Sequence, residues 1–247
     1  CDKNGAVRVW RIPEGAAGSA AAPRLPEHTW QAHDGRCYAV AYDPGGNRLA
    51  TGGQEAHVAV WEPQDRADAL SLELTGRNTG NDRSLAFAPD SRLLAVAEED
   101  GVQLWNLQTR KLDSRLSRDG SPCNHVTVSR DGQCLAVGRE KQATVEVWRK
   151  SPAGWQCAWA AQDQPSDHLA FSPSSAALAV VDWSGDEVAV YEVATGRVER
   201  RLSATQCWAA EFSPDGQQLA FTDGDDVVVW GWMARQPLWR LRRHRST

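Results

Sequence analysis

An internal repeat of about 43 residues constrains the fold of this chain more than any other feature. Short apolar runs that end in an aromatic residue recur at Trp10, Trp61, Trp105, Trp148, Tyr191 and Trp230. A series of turns follows the same period, at residues 42–46, 88–91, 129–132, 172–175 and 213–216. A third series is an apolar residue eleven positions after the later aromatics, at Leu116, Trp159, Leu202 and Leu241. A period of this size indicates that each copy is one supersecondary unit of a repeat architecture.

Each copy is predicted to contain four short β-strands. In the second copy they span about 37–42, 48–52, 57–61 and 69–74. The runs are rich in Val, Ala, Leu and Trp and are separated by Gly, Pro, Asp and Asn, which is typical of strands and tight turns. A unit of this size cannot bury both faces alone, so stacked copies must form a continuous core.

Composition excludes several classes of protein. The 247 residues are 41% hydrophobic and 24% charged, which is typical of a globular chain. No apolar run approaches the roughly 20 residues of a membrane helix, so we expect no membrane association. A net charge of -5 argues against nucleic acid as a partner. The six cysteines form no C-x-x-C pair and predict free thiols in the cytoplasm, and the preference for Arg over Lys suggests a bacterial source.

The repeat resembles the WD-repeat β-propeller family over essentially the whole chain. The similarity lies in the aromatic after each third strand, in the FSPDG-type turn at 212–216, and in Ala32-His33, which matches the family's Gly-His position. The resemblance implies a buried hydrogen-bond network of His33, Thr51, Glu55 and Trp61, with Glu in place of the family's Asp. Later copies carry Arg77, Asp119, Gln162 and Thr205 at the His position, so their blades are expected to rely on apolar packing.

The predicted fold is all-β, a β-propeller of four-stranded antiparallel blades, with five complete blades and the outer two strands of another. The whole of 1–247 is assigned to one propeller segment, with blades at about 1–31 (partial), 35–76, 82–118, 123–161, 166–204 and 207–244. Because the first blade lacks its two inner strands and propellers usually have 4–8 blades, we expect a fragment of a longer parent protein that carries an upstream domain. The parent would be a seven-bladed propeller or an array of two propellers.

No catalytic motif is present: the sequence has no G-x-S-x-G, H-E-x-x-H or P-loop, and no catalytic, cofactor or metal residue is predicted. The candidate acid–base residues on innermost strands are Asp167, His168, His125 and Glu211, which are expected not to form a set. Three cysteines at the predicted starts of innermost strands could form a thiol ring, but small residues packed between blades are favoured; they are Cys37, Cys123 and Cys207. An enzyme or metal site in the central channel is therefore the alternative hypothesis.

In the family, the fourth-to-first and second-to-third strand connections share one face, which is acidic here. It would carry Asp82, Glu98, Glu99, Asp100, Asp119, Asp163, Asp167, Asp182, Asp186, Asp223, Asp225 and Asp226, against Arg77, Arg83, Arg118, Arg139 and Lys141. Ordinary solvated loops would explain this charge, but it also suits the docking of a basic segment. The predicted partner-binding residues are Trp183, Trp208, Asp182, Asp186, Glu99, Asp100 and Asp225. Trp183 could instead pack on a neighbouring blade, because tryptophan serves both cores and interfaces.

The predicted function is a non-catalytic protein–protein interaction scaffold or sensor module. It would bind a protein or peptide through the acidic loop face, without a cofactor, as part of a larger signalling or regulatory protein. A purely structural role, as one wall of a large propeller with no partner of its own, is the third hypothesis.

Overall fold

The structure is a computed structural model that describes residues 1–10, 25–54, 57–62, 84–118, 120–139, 144–162, 164, 166–182 and 186–242, with the backbone alone for 65–73. The chain divides into two compact units, Cys1–Arg83 (unit 1) and Ser84–Thr247 (unit 2). Within the described ranges the regular secondary structure consists of β-strands. No helix long and apolar enough to cross a membrane occurs in that part of the chain.

Unit 1 contains two antiparallel sheets. Sheet 1 pairs β1 (Ala6–Val9) with β2 (His28–Gln31). Sheet 2 consists of β3 (Cys37–Tyr42), β4 (Leu49–Gly53), β5 (His57–Glu62) and β6 (Asp65–Glu73).

Unit 2 contains four sheets of four strands each. Sheet 3 consists of β7 (Leu85–Phe87), β8 (Leu93–Glu98), β9 (Gly101–Asn106) and β10 (Lys111–Leu116). Sheet 4 consists of β11 (His125–Val128), β12 (Cys134–Arg139), β13 (Thr144–Ser151) and β14 (Gly154–Ala161). Sheet 5 consists of β15 (His168–Phe171), β16 (Ala177–Val181), β17 (Glu187–Glu192) and β18 (Val198–Ser203). Sheet 6 consists of β19 (Ala210–Phe212), β20 (Gln218–Asp223), β21 (Asp226–Gly231) and β22 (Gln236–Leu241).

Consecutive strands are neighbours in every sheet, and all pairs are antiparallel. For the described residues, the prediction of an all-β chain built from four-stranded antiparallel sheets is confirmed, with five such sheets and one two-stranded sheet. Each four-stranded sheet also has a β-bulge between its third and fourth strands, beside the repeated aromatic. The bulge bends the outer strand and increases its twist relative to the rest of the sheet.

The sheets of unit 2 pack face to face, and their first strands β7, β11, β15 and β19 lie side by side in that order. Leu116 at the end of β10 is buried against Val126 and Val137 of sheet 4. Leu202 at the end of β18 is buried in the same way against Phe221 of sheet 6. The second strands β12 and β16 are buried along their whole length, because both faces are covered. The unit therefore has a continuous apolar core, as stacked repeats require.

Sheet 4 departs from the predicted register at Trp159. Its outer hairpin is longer than the others: Trp148 pairs with Cys157, so Ala161 lies opposite Val145 where Leu116 lies opposite Val102 in sheet 3. The prediction that Trp159 is the equivalent of Leu116 is therefore wrong. Its ring instead stacks on Tyr191 of sheet 5 at 5.6 Å between centroids. A fixed spacing of eleven residues could not detect the extra length of this hairpin.

Candidate functional site

Three members of the predicted hydrogen-bond network meet inside sheet 2. His33 Nε2 lies 2.9 Å from Thr51 Oγ1, and Trp61 Nε1 donates to the same oxygen at 2.9 Å. His33 and Thr51 are both buried. The fourth member, Glu55, lies outside the described residues. These bonds connect the segment before β3 to the second and third strands, which is a structural role.

In sheets 3 and 4 the indole N–H of the repeated tryptophan also donates a hydrogen bond, but to a different acceptor. The expectation that these sheets rely on apolar packing is therefore wrong. Trp105 Nε1 donates to Gln103 Oε1 at 2.9 Å, and Trp148 Nε1 donates to Glu146 Oε2 at 3.0 Å. In both sheets the acceptor lies two residues before the aromatic on the same strand. The signal was present in the sequence as a polar residue in the middle of each run, Gln in GVQLW and Glu in TVEVW.

Glu146 belongs to a buried ion pair that the sequence analysis missed. Arg139 Nε lies 3.2 Å from Glu146 Oε1, and Nη2 lies 3.3 Å from Oε2, so the contact is bidentate. Both side chains are buried. Arg139 Nη1 also donates to the backbone oxygen and to Oγ of Ser121, at 2.9 Å for the hydroxyl. The pair thus connects two strands of sheet 4 to the segment that leads into its first strand.

The repeated aromatics of sheets 5 and 6 have different polar surroundings again. Tyr191 replaces tryptophan in sheet 5, and its hydroxyl donates to Gln164 Oε1 at 3.0 Å. In sheet 6, the buried Trp230 Nε1 has no hydrogen-bond partner among the described residues. The repeated aromatic is therefore conserved in place within this chain, while its polar partner differs from sheet to sheet.

The loop face of unit 2 is the end of sheets 3–6 that carries the fourth-to-first and second-to-third strand connections. Trp208 lies on it, with 61% of its surface exposed. Because β19 begins at Ala210, Trp208 lies in the connection before that strand. Its backbone N–H donates to Thr222 Oγ1 at 2.7 Å. A fixed backbone thus presents an exposed indole.

Arginines from the fourth strands pair with several carboxylates of the loop face. Asp100 lies 3.3 Å from Arg115, and Arg240 contacts Asp223 at 2.6 Å and Asp226 at 3.1 Å. The backbone N–H of Thr205, together with Arg240, holds the pKa of Asp223 below its ordinary value. The arginines thus partly neutralise the negative charge at these strand ends.

The other predicted residues of the loop face occupy mixed environments. Asp186 and Asp225 are exposed, whereas Asp182 and Glu99 are half-buried. Glu98 is buried, which corrects its predicted place among the acidic residues of the loop face. Trp183 lies outside the described residues. Partner binding by Trp208, Asp182, Asp186, Glu99, Asp100 and Asp225 stays a prediction.

Three titratable residues on neighbouring first strands form a row that the sequence analysis did not expect. The rings of His125 and His168 lie 4.9 Å apart, and His168 Nε2 lies 3.6 Å from Glu211 Oε1. Desolvation, and then the neighbouring His168, lower the pKa of His125 to about 3. Burial also lowers the pKa of His168. Glu211 has 70% of its side chain exposed, so water screens its contact with His168.

The row and the cysteines do not assemble into a recognised metal site. In the part of the chain that the structure describes, no group of three or more His, Cys, Asp or Glu side chains could hold a metal ion. All six cysteines are free thiols. Cys37 begins β3, but Cys123 and Cys207 precede β11 and β19, which corrects their predicted position at strand starts. Burial raises the pKa of Cys207, which keeps this thiol protonated and unreactive near neutral pH.

Comparison with known proteins finds WD-repeat similarity. Residues 24–62 match the family described as "WD domain, G-beta repeat", which covers sheet 2 up to the end of β5. The chain is 30% identical over 130 residues to THO complex subunit 3 of Arabidopsis thaliana, covering 51% of this chain and 41% of that protein. It is 27% identical over 131 residues to small ribosomal subunit protein RACK1y of Oryza sativa subsp. japonica, covering 50% and 38%.

A longer similarity extends to the intraflagellar transport protein 122 homolog of Danio rerio. It is 25% identical over 233 residues, covering 84% of this chain and 18% of the relative. The chain thus spans less than half the length of each of these curated eukaryotic relatives.

Proposed function

We propose that this chain is a non-catalytic protein-interaction module that binds a basic segment of a partner protein through the loop face of unit 2. The observation that carries the proposal is Trp208, an indole exposed over 61% of its surface on a hydrogen-bonded backbone. Tryptophan is the residue type most enriched among interface hot spots. Two of the similar proteins are, by name, subunits of larger assemblies, which supports a role in protein association.

Charge supports the choice of a basic partner. Asp186 and Asp225 are exposed and directly precede the third strands of sheets 5 and 6, on the same face as Trp208. The chain as a whole carries a net charge of -5. Exposed carboxylates around an aromatic anchor steer a cationic segment toward it and repel anionic ones.

The test compares two exposed tryptophans, one in the connection before sheet 6 and one on the outer strand of that sheet. A fluorescein-labelled nonapeptide of alternating arginine and alanine is the probe, and fluorescence anisotropy measures its dissociation constant for the whole chain. We expect Trp208→Ala to weaken binding at least tenfold, because hot-spot truncation removes about 2 kcal/mol or more. The matched control is Trp239→Ala, since Trp239 is exposed to a similar 65% but lies on β22, away from the connections. It should change the constant less than twofold.

Two results would contradict the proposal. One is equal weakening by the two tryptophan variants, which would remove the loop face as the site. The other is equal binding of an alternating glutamate–alanine peptide, which would remove the preference for a basic partner. Thermal melts of both variants exclude unfolding as the cause of a loss.

We further infer that the sheets are blades of a WD-repeat propeller, with five complete blades and the outer two strands of another. The four-stranded antiparallel sheets and the family match at 24–62 support this inference. A signalling or regulatory parent with an upstream domain, a bacterial source, a cytoplasmic location and the absence of nucleic-acid and membrane partners stay predictions.

The alternative function, catalysis or metal binding in the channel, was predicted to depend on Asp167, His125, His168 and Glu211. The pKa of His125, near 3, makes its imidazole a weak base at neutral pH. The contact with the carboxylate of Glu211 comes from His168. This arrangement supports binding by the loop face better than acid–base chemistry in the row.

A further inference from the structure

A cavity lies between sheets 5 and 6, at the end of the strands opposite to the loop face. It has a volume of about 620 Å³, which is within the range of about 300–1,000 Å³ typical of ligand pockets. Its walls come from the first-to-second strand turns and from the third-to-fourth strand turns of the two sheets. The proposed function in the loop face uses none of these residues.

The apolar wall of the cavity consists of Trp232 and Met233, which follow the repeated aromatic of sheet 6. The equivalent pairs are Leu107-Gln108 in sheet 3 and Val193-Ala194 in sheet 5. Leu107 and Val193 are buried, so a smaller residue is enough to close the core at this position. Met233 is 81% exposed, and an exposed methionine is not needed for packing.

The junction between sheets 4 and 5 shows why a cavity is left between sheets 5 and 6. Between sheets 4 and 5, the ring of Trp159 on β14 packs close to Gly196 and stacks on Tyr191. At the junction of sheets 5 and 6, the equivalent position on β18 is Arg200, opposite Val190 as Trp159 is opposite Val147. An extended arginine side chain fills less of this volume than an indole.

The charged lining is mainly anionic. Glu192, Glu199 and Asp215 contribute carboxylates, against the guanidinium of Arg197 in the lining and that of Arg200 over the Trp232 ring. Hydrogen bonds from Ser213 Oγ at 2.6 Å and the Gln217 N–H at 3.0 Å lower the pKa of Asp215 and keep it ionised. Glu199 is exposed and forms no ion pair with the described residues. The carboxylates of Glu199 and Asp215 are therefore both available to bind a cation.

The aromatic wall accepts a guanidinium in the structure itself. Arg200 Cζ lies 5.2 Å from the centroid of a Trp232 ring, within the range of a cation–π interaction. The same ring packs edge-on against Phe212 at 5.5 Å, which fixes its orientation. The cavity thus combines a fixed aromatic side chain, an exposed thioether and anionic rim groups.

We propose that this cavity is a second docking site, which binds an arginine side chain flanked by apolar residues in an extended segment of a partner protein. The guanidinium would pair with Glu199 and Asp215, and the flanking apolar side chains would cover Met233 and Trp232. Methionine adapts its shape to varied apolar partners, which suits such a contact. The site is separate from the loop face, and either one can exist without the other.

The chain contains one methionine, so Met233 is a single-site reporter. The full chain is labelled with ¹³C-methyl methionine, and the methyl resonance is followed by NMR during a peptide titration. The probe is an acetylated Ala-Leu-Arg-Leu-Ala amide, and Ala-Leu-Glu-Leu-Ala amide is its matched anionic counterpart. We expect a saturable shift of the Met233 methyl resonance with the arginine peptide and no shift with the glutamate peptide at equal concentration.

Charge variants locate the bound cation. Glu199→Gln with Asp215→Asn should weaken the arginine peptide about three- to tenfold, as loss of two exposed charge contacts implies. The matched control is Asp113→Asn, because Asp113 is the bulge residue of sheet 3 that corresponds to Glu199. It should change the affinity less than twofold, and so should Trp208→Ala.

The proposal is overturned if the Met233 resonance stays unmoved at millimolar arginine peptide, or if both peptides shift it equally. It is also overturned if the double charge variant, shown to be folded by its melting temperature, binds like the parent chain. A loss caused by Trp208→Ala at the Met233 resonance would assign the binding to the loop face instead. Failure of the loop-face proposal is read separately, from the anisotropy of the tryptophan variants.

Discussion

Sheets 2 and 4 hydrogen-bond the repeated tryptophan through different chemistry, with neutral groups in sheet 2 and an ion pair in sheet 4. Each must satisfy a tryptophan N–H and fasten the segment that leads into its first strand. Sheet 2 does so with neutral groups, the Thr51 hydroxyl and the His33 imidazole. Sheet 4 uses a buried ion pair of Arg139 and Glu146. The comparison teaches that the repeat preserves the position of the aromatic, while its partners can be exchanged as a set.

The largest effect is expected from breaking the ion pair of sheet 4. Glu146→Ala leaves the Arg139 guanidinium buried without its carboxylate, which should lower the free energy of unfolding by about 3–5 kcal/mol. Urea denaturation followed by far-UV circular dichroism measures the change. The control replaces both partners, as Arg139→Met with Glu146→Leu, and should recover most of the loss because no charge stays buried. A loss below 1 kcal/mol for the single variant would show that the ion pair is not coupled to stability.

An intermediate effect is expected from the neutral network of sheet 2. Thr51→Val removes the oxygen that Trp61 and His33 share, and should cost about 2 kcal/mol for the buried groups left unsatisfied. The shape itself is tolerated, since valine occupies the equivalent position in sheets 3, 4 and 5, at Val96, Val137 and Val180. Thr51→Ser should restore most of the stability in the same urea experiment. Equal stability of the valine and serine variants would contradict the role of the hydroxyl.

The smallest expected effect is a loss of folding stability at acid pH. It arises from His125 on the first strand of sheet 4. Unfolded His125 takes up a proton near pH 6.5, whereas folded His125 stays neutral down to about pH 3. The unfolded state therefore binds more protons between these values, and stability falls as the pH is lowered. Linkage gives a loss of about 1.3 kcal/mol between pH 7 and 5.5 from this residue.

The matched variant for this prediction is His125→Gln, which removes the titrating group. Its urea-unfolding free energy should change less over the same pH interval, by about that amount. His168→Gln removes the imidazole that contributes to the lowered pKa of His125, and should leave a smaller difference. Parallel pH profiles of the parent chain and His125→Gln would contradict the prediction.

Much of the fold could be predicted from the sequence, because local patterns determine strands and turns. The aromatic series, the turn series and the apolar runs lead directly to antiparallel four-stranded sheets. The trio of His33, Thr51 and Trp61 could be found because it follows a family pattern. Sites that depend on register were missed: Arg139 and Glu146 meet only because Val137 pairs with Glu146, which places Arg139 two residues along the same face.

Contacts between sheets were harder still to predict. His125, His168 and Glu211 come from three different copies of the repeat, so no spacing within one copy brings them together. The cavity beside Met233 depends on Arg200 standing where sheet 4 has Trp159, and that equivalence is visible only after the longer hairpin is known. Such features arise from side-chain volume at a junction, which the repeat period does not encode.

The arginines on the fourth strands also affect how this protein behaves in concentrated solution. Arg115, Arg201 and Arg240 place positive charge on the outer edges of sheets 3, 5 and 6. Charge at an exposed strand edge discourages another chain from adding a strand there. The outer strand of sheet 4, GWQCAWAA at Gly154–Ala161, carries no charged residue. Within unit 2, intermolecular strand pairing is therefore least opposed at β14, and colloidal stability depends most on this one uncharged edge.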